Sequence, residues 1–299
     1  MIAFQRPTLA DRAQLVPMLF DIAYHGCEYS YVNICLWGQQ QFAIVEGEVV
    51  IFSHWDGRSM YVYPGTAKLE KILPLLREDA RQRGIPLRLY GLTGEGTAEI
   101  EARFPGQYGF TRYRDGGDYL YEIERLAELR GKKLQQKRNH INRFLERYPD
   151  WHTQPISAEN LDACKALVQR WYRQREEAGE DVTLEKVAMS RAFAAFEALG
   201  MEGLALYAEG SIVAMTMGNR MRRALFDVNF EKADAEVAGA YPLINREFAR
   251  YIHAKYPEIR YLNREEDMGL PGLRKSKLSY HPDEIVEKYR GFLKPEVQL

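Results

Sequence analysis

Charged side chains crowd one short stretch near the C-terminal end of the chain, Asn263-Arg264-Glu265-Glu266-Asp267. This stretch directly follows IRYLN (259–263), which is typical of a strand. Ligands commonly bind at strand ends in layered sheets, and adjacent carboxylates raise one another's pKa, as a general base near neutrality requires. We therefore predict a catalytic base at Glu265 or Asp267. A polar loop that caps the next helix is the alternative interpretation of the same residues.

A basic stretch, LPGLRKSKLSYHP (270–282), follows these acids immediately. Its cations, Arg274, Lys275 and Lys277, are either satisfied by the neighbouring acids or form a clamp for an anionic substrate beside the base. Tyr280 carries a phenol that could donate a proton in general acid catalysis. Both interpretations of the charged groups stay open at this point.

A second basic segment, GKKLQQKRNHINRFLERYP (131–149), predicts a helix with an apolar stripe, and Arg138 occupies one position of that stripe. A guanidinium that faces the protein needs an anionic partner. This partner is either a nearby acid or the phosphate or carboxylate of a ligand. The other members of the stripe are Leu134, Ile141, Leu145 and Tyr148.

Aromatic and polar residues alternate in CEYSYVNICLW (27–37), where Tyr29, Tyr31, Asn33 and Trp37 could line a pocket. Packing in the core is the other interpretation of these residues, and it is the one that we favour. The sequence contains three cysteines and six histidines, which are scattered and form no CxxC, HExxH or GxSxG pattern. We accordingly predict reduced thiols and no metal ion.

The charges nearly cancel, with 41 Lys and Arg residues against 42 Asp and Glu residues among 299. This balance argues against a general nucleic-acid coater, so DNA is not an expected partner. No apolar run approaches the roughly 18 residues of a transmembrane helix, and the N-terminal residues do not resemble a signal peptide. These features predict a cytoplasmic location and no transmembrane segment.

A weak internal repeat organises these motifs. Residues 42–52 and 204–218 each predict two strands around a Glu-Gly turn, and each pair is followed by a further strand, a helix and another strand. The predicted helices cover about 68–83 and 242–255. The repeat predicts two domains of similar structure, 1–127 and 128–299, with the boundary after a strand at 118–123.

Several short motifs occur in one order along the chain. These are Tyr29-Ser30-Tyr31 to Trp37, Lys137-Arg138-Asn139-His140-Ile141, Phe230-Glu231-Lys232-Ala233-Asp234, Gly239-Ala240-Tyr241, Asn263 to Asp267, and Gly272 to Tyr280. With them, nearly the whole chain resembles an uncharacterised bacterial family that is related to the C-terminal domain of phosphatidylglycerol lysyltransferases. Such proteins are similar to tandem GCN5-related N-acetyltransferase (GNAT) folds and, more distantly, to Fem-type peptidoglycan aminoacyltransferases.

The resemblance implies an α/β (α+β) fold with two tandem GNAT-like domains, each a mixed, mostly antiparallel sheet flanked by helices. It implies transfer of an acyl or aminoacyl group to an amine or hydroxyl of a small molecule, a peptide or a lipid headgroup. The donor is an acyl-CoA or an aminoacyl-tRNA, which makes tRNA a candidate partner, and no cofactor is tightly bound. A non-catalytic GNAT-like ligand-binding or regulatory protein is the alternative. These patterns set no oligomeric state.

Within that chemistry, Glu265 or Asp267 would act as the base, and Tyr280 would protonate the leaving group. Gly239 and Ala240 fall where GNAT enzymes bind the pyrophosphate of CoA. An acid, Glu236, replaces the basic or amide residue expected there, which disfavours acetyl-CoA and favours aminoacyl-tRNA. The predicted substrate- and anion-binding residues are Arg138, Asn139, His140, Asn263, Arg264, Lys275, Lys277, Tyr31 and Trp37.

Overall fold

A computed structural model describes residues 1–55, 57–65 and 68–294 of the chain. The described residues form two compact units. The first unit contains those of Met1–Asp118, Glu266–Leu270 and the stretch from Ile285. The second unit contains Tyr119–Glu265 and Pro271–Glu284.

The α-helices of the described residues follow the chain in this order: α1 (Arg12–Phe20), α2 (Tyr31–Leu36), α3 (Leu69–Arg83), α4 (Gly94–Arg103), α5 (Ile123–Glu128), α6 (Gln135–Arg147), α7 (Leu161–Glu177), α8 (Thr183–Ala194), α9 (Ala240–Lys255) and α10 (Pro271–Leu278). The strands are β1 (Gln41–Val45), β2 (Glu48–Trp55), β3 (Arg58–Val62), β4 (Arg88–Leu92), β5 (Tyr108–Arg112), β6 (Asp118–Glu122), β7 (His152–Pro155), β8 (Met201–Ala208), β9 (Ser211–Arg222), β10 (Leu225–Ala233), β11 (Tyr261–Asn263), β12 (Glu284–Val286) and β13 (Tyr289–Leu293). None of these helices combines the length and the apolar character that a membrane crossing requires.

The sheet of the first unit has the strand order β1-β2-β3-β4-β13-β5. Only β3 and β4 pair in parallel within the described part of this sheet. The predicted turn at Glu46-Gly47 joins β1 to β2, and both residues have positive φ angles of 52° and 79°. Helix α3 buries the predicted apolar face, Leu69, Ile72, Leu73, Leu76 and Ala80, against this sheet.

The sheet of the second unit has the order β12-β6-β11-β10-β9-β8-β7. Strands β10 and β11 pair in parallel, while β7 to β10 form an antiparallel series. The second predicted turn, at Glu209-Gly210, joins β8 to β9. Helix α9 buries Leu243, Ile244, Phe248 and Ile252. Mixed, mostly antiparallel sheets flanked by helices are therefore confirmed for both units.

The division of the chain differs from the predicted boundary at 127/128. Strand β13 inserts between β4 and β5 of the first sheet, so the chain returns to the first unit at this strand. Residues 266–270 also belong to that unit. Local periodicity does not reveal either return, because both depend on pairing between residues that are far apart in sequence.

Candidate functional site

A polar cluster in the second unit is centred on Glu231, which lies on β10. Its Oε1 accepts a hydrogen bond from Nη2 of Arg264 at 2.9 Å, and its Oε2 accepts one from Nδ2 of Asn245 at 3.0 Å. The side chains of Glu231 and Arg264 are only 12% and 10% exposed. Because β10 and β11 run parallel, with Asp227 beside Asn263, the residue that follows β11 can reach along β10 to Glu231.

Two buried polar atoms of this cluster have no hydrogen-bond partner among the described residues. They are Nη1 of Arg264 and Oδ1 of Asn245. The orientation of the Asn245 amide follows from Glu231, because a carboxylate only accepts. A buried unpaired donor and a buried unpaired acceptor each cost free energy. Because Arg264 and Asn245 bond the two oxygens of the same carboxylate, both unpaired atoms belong to one cluster.

Two tyrosines form an aromatic wall of this cluster. The ring centroids of Tyr121 and Tyr280 lie 6.4 Å apart in an edge-to-face arrangement, and Cζ of Arg264 lies 4.8 Å from the Tyr280 centroid. Burial raises the pKa of both phenols, although the charge of Arg264 opposes this. Tyr280 therefore stays protonated at neutral pH. Proton donation by Tyr280 to a leaving group stays a prediction.

Arg264 remains charged in this environment. Burial opposes its charged form, but the Glu231 carboxylate outweighs this effect, and the net result is a raised pKa of the guanidinium. A buried arginine with one open N–H direction is suited to polarise a carbonyl or to stabilise an oxyanion.

The loop after β11 is held in one conformation by its own polar groups. Glu265 has a φ of 57°, a left-handed conformation that is costly for a residue other than glycine. The side-chain oxygen of Asn263 accepts from the backbone N–H of Glu265 at 2.7 Å. The Glu265 carboxylate accepts from Nδ2 of Asn229 at 3.2 Å. These bonds fix the position from which Arg264 projects.

Lys277 of α10 supports the same loop. Its buried ammonium donates to the backbone carbonyls of Arg264 and Glu265. These contacts give Lys277 a positioning role, and binding of an anion by Lys277 stays a prediction. Lys275, on the same helix, is exposed.

Replacement of Lys277 by methionine should lower the free energy of unfolding by about 1–3 kcal/mol, because the two carbonyls lose their buried charged donor. Urea unfolding of the purified variant measures this loss. Lys275→Met is the matched control on the same helix, and its exposed side chain predicts a change within about 0.5 kcal/mol. Equal stability of the two variants would contradict the positioning role.

Asp267, the other predicted base, belongs to the first unit. Its fully buried carboxylate accepts from the backbone N–H of Gly269 at 2.9 Å and lies 3.3 Å from Nη1 of Arg114. The chain passes from the second unit to the first between Glu265 and Glu266, so the acidic motif is divided between the units. The catalytic role predicted for Asp267 stays a prediction.

Arg138, Asn139 and His140 lie on α6. The Arg138 guanidinium donates to the carbonyls of Leu129 and Gly131 and to the Gln135 side chain. The partners of this half-buried cation are thus backbone carbonyls and an amide, not the nearby acid of the local interpretation. Asn139 is exposed and accepts from Gln135 at 2.8 Å, and His140 is half-buried. Their roles in ligand binding stay predictions.

In the aromatic motif at 27–37, Tyr31 packs in the core and Trp37 is half-buried. Tyr31 is buried, and its hydroxyl donates to the carbonyl of Thr8 at 2.8 Å. Trp37 is half-buried at the C-terminal end of α2. The contacts of Tyr31 agree with the core interpretation, and contact of either residue with a substrate stays a prediction.

Gly239 precedes α9 with a φ of 92°. A Cβ there would lie 2.6 Å from the carbonyl oxygen of His140 and 2.9 Å from Cβ of Phe144, so glycine permits the close packing of α6 on this loop. Ala240 is fully buried at the start of α9. Asp234 and Glu236 place two carboxylates in the same loop, where the backbone N–H of Glu236 donates to Asp234. Binding of a cofactor by Gly239 and Ala240 stays a prediction.

A separate buried network lies within the first unit around Lys288, whose side chain is fully buried. Its Nζ lies 2.6 Å from Oε2 of Glu28 and 2.8 Å from Oδ1 of Asp118. Although burial opposes the charged form, these carboxylates raise the pKa of Lys288. Cys27, Glu28 and Asp118 offer atoms within 4.8 Å of one another, a spacing that suits a metal, but the ammonium already bridges the two carboxylates.

Sequence reasoning missed Glu231 and Asn245 as site residues. The sequence pattern could have revealed both residues. Glu231 is a charged residue within a largely buried strand, LFDVNFEKA, and Asn245 is a polar residue on the apolar face of α9. Lys137, in the motif on α6, also reaches the cluster: its Nζ lies 4.0 Å from the Tyr280 ring centroid. The spacing of charges along the chain indicated the loop at 263–267 but not the strand and helix that complete the site.

The two sheets and their flanking helices give the chain a tandem GNAT-like fold. FemX is similar in fold, with a TM-score of 0.60 and 10% identity over 99% of this chain and 98% of FemX. The chain belongs to the phosphatidylglycerol lysyltransferase, C-terminal family, whose profile matches residues 20–292. The predicted resemblance and fold class are thus confirmed.

Two solved structures illustrate this relationship. A conserved protein of unknown function from Bacteroides thetaiotaomicron is 38% identical, covers 98% of this chain and 100% of its own, and gives a TM-score of 0.92. The C-terminal domain of a putative lysylphosphatidylglycerol synthetase from Agrobacterium fabrum is 13% identical, covers 95% and 93%, and gives 0.68.

An uncharacterized protein of Mycoplasmoides gallisepticum is 27% identical over 174 residues, which are 58% of this chain and 54% of that protein. The chain therefore spans about half the length of this relative.

Proposed function

We propose that the chain is an aminoacyltransferase that takes its aminoacyl group from an aminoacyl-tRNA and passes it to an amine or a hydroxyl. The family and the fold shared with FemX support an aminoacyl transfer. The observation that carries the proposal is the pair of unsatisfied atoms beside Glu231, namely Nη1 of Arg264 and Oδ1 of Asn245.

An aminoacyl ester presents two groups close together, an α-ammonium that donates and a carbonyl that accepts. In the proposed complex, the ammonium donates to Oδ1 of Asn245 beside the Glu231 carboxylate, and the carbonyl oxygen accepts from Nη1 of Arg264. The same guanidinium N–H would stabilise the oxyanion that forms when the acceptor attacks the carbonyl carbon. Each ligand group would thereby satisfy one unpaired atom of the protein.

An acetyl group from acetyl-CoA satisfies only half of this site, because it has a carbonyl but no ammonium. It would leave the Asn245 oxygen unpaired, and it brings no positive charge to Glu231. The acids in the loop before α9 also disfavour the CoA pyrophosphate. Both arguments support aminoacyl-tRNA over acyl-CoA as the donor.

Binding of small donor analogues tests this assignment. The probe is an aminoacyl group joined to 3′-amino-adenosine through a stable amide, with its α-amino group either free or acetylated. We expect the free form to bind at least about tenfold more tightly by calorimetry, since acetylation removes the ammonium charge. In an Asn245→Ala variant this preference should shrink. Equal binding of both forms, or tighter binding of acetyl-CoA, would reject the proposed site.

A further inference from the structure

Lys137 stands out among the charged groups around the cluster. It lies in the first turn of α6, and its side chain is half-buried. Its Nζ lies 4.0 Å from the centroid of the Tyr280 ring. Lys137 forms no ion pair within the described residues. Arg264 lies against the same ring at 4.8 Å. Lys137 is thus a cation without an acidic partner beside a second cation.

This environment makes it easier for Lys137 to lose its proton than it is in water. The groups that face Lys137 are the Tyr280 ring after α10, Arg264 after β11 and Glu231 on β10. Burial lowers the pKa of Lys137 to about 8, and the charge of Arg264 adds to this shift while that of Glu231 opposes it. A lysine that loses its proton near neutrality can act as a general base.

The acid nominated from sequence is less suited to this task. The Glu265 carboxylate accepts from Asn229, in a loop held by Asn263 and Lys277. Glu231 is engaged by both Arg264 and Asn245. Lys137 therefore has the side chain in this cluster that is best placed to gain and lose a proton.

We infer that Lys137 is the proton shuttle of the proposed transfer. Resting on the proposed function, the step begins when neutral Nζ takes one proton from the acceptor hydroxyl, or from a neutral acceptor amine as it attacks. The freed lone pair forms a bond to the carbonyl carbon held at Arg264. The bond from that carbon to the ribose oxygen of the tRNA then breaks, and this oxygen keeps the electron pair. Protonated Nζ returns its proton to that oxygen, which completes the balance.

The pH profile of aminoacyl transfer tests this role. For the wild type, kcat/KM should rise with pH, reach half of its maximum near the pKa of about 8 and level off above it, because the neutral amine accumulates above this pKa. Lys137→Arg keeps a cation over the ring that cannot lose its proton, and should reduce kcat/KM by about 10²–10⁴-fold and abolish this rise. The matched control is the exposed neighbour Lys133, and Lys133→Arg should behave as the wild type.

Two further measurements, chemical rescue of activity and binding of the donor analogue, distinguish a failure of the Lys137 role from a failure of the proposed function. Added methylamine should restore part of the activity of Lys137→Ala, while the donor analogue should bind Lys137→Arg and the wild type with similar affinity. Unchanged activity and pH profile in Lys137→Arg would overturn the proton-shuttle role and leave the transferase proposal intact. No transfer by the wild type with any aminoacyl-tRNA would overturn both.

Discussion

Arg264→Gln should lower kcat/KM for aminoacyl transfer by about 10²–10³-fold, the range observed when one oxyanion-stabilising donor is removed. The variant loses both the hydrogen bond to Glu231 and the N–H that is aimed at the proposed carbonyl position. Because the donor would act mainly in the transition state, the loss should appear in kcat more than in donor binding.

Two further variants make this result specific. Arg260→Gln changes an exposed arginine immediately before β11 and should leave transfer unchanged. Arg264→Lys keeps the positive charge but loses the planar fork, so it should recover stability better than activity. Full activity of Arg264→Gln, with its fold intact by circular dichroism, would remove Arg264 from the mechanism.

The second large effect concerns stability rather than chemistry. Lys288→Met should lower the free energy of unfolding by about 3–5 kcal/mol, because Glu28 and Asp118 would be left as buried carboxylates without their shared cation. Urea unfolding at neutral pH measures this loss. Lys71→Met, on the exposed side of α3 in the same unit, should change stability by no more than about 0.5 kcal/mol.

A double variant tests whether the unpaired carboxylates cause the loss of stability. Asp118→Asn added to Lys288→Met removes one of the two stranded charges, so the double variant should be more stable than Lys288→Met alone. A small effect of Lys288→Met, comparable to that of Lys71→Met, would show that the network contributes little to stability.

Local patterns predicted the repeated elements well. The Glu-Gly turns at 46–47 and 209–210 were visible because a turn between two apolar runs depends on adjacent residues. The apolar faces of α3 and α9 were visible for the same reason, since helical periodicity is a property of a short segment.

Non-local pairing accounts for what the sequence did not reveal. Glu231, Asn245 and Arg264 come together through the parallel alignment of β10 with β11 and through the packing of α9, and none of these is a local property. Charge density drew attention to Glu265 and Asp267 as a pair. Asp267 instead belongs to the first unit, because the chain changes units within the motif.

Transfer from labelled aminoacyl-tRNA is the measurement that tests the central proposal most directly. The wild type is incubated with a panel of tRNAs charged with radiolabelled amino acids, together with a bacterial lipid extract or a pool of amines and peptides. The account predicts that label from at least one aminoacyl-tRNA moves to an acceptor with the wild type and with Arg260→Gln, but not with Arg264→Gln. Label that stays on every tRNA while the analogue still binds would favour a non-catalytic binding protein, and consumption of acetyl-CoA instead would contradict the aminoacyl assignment.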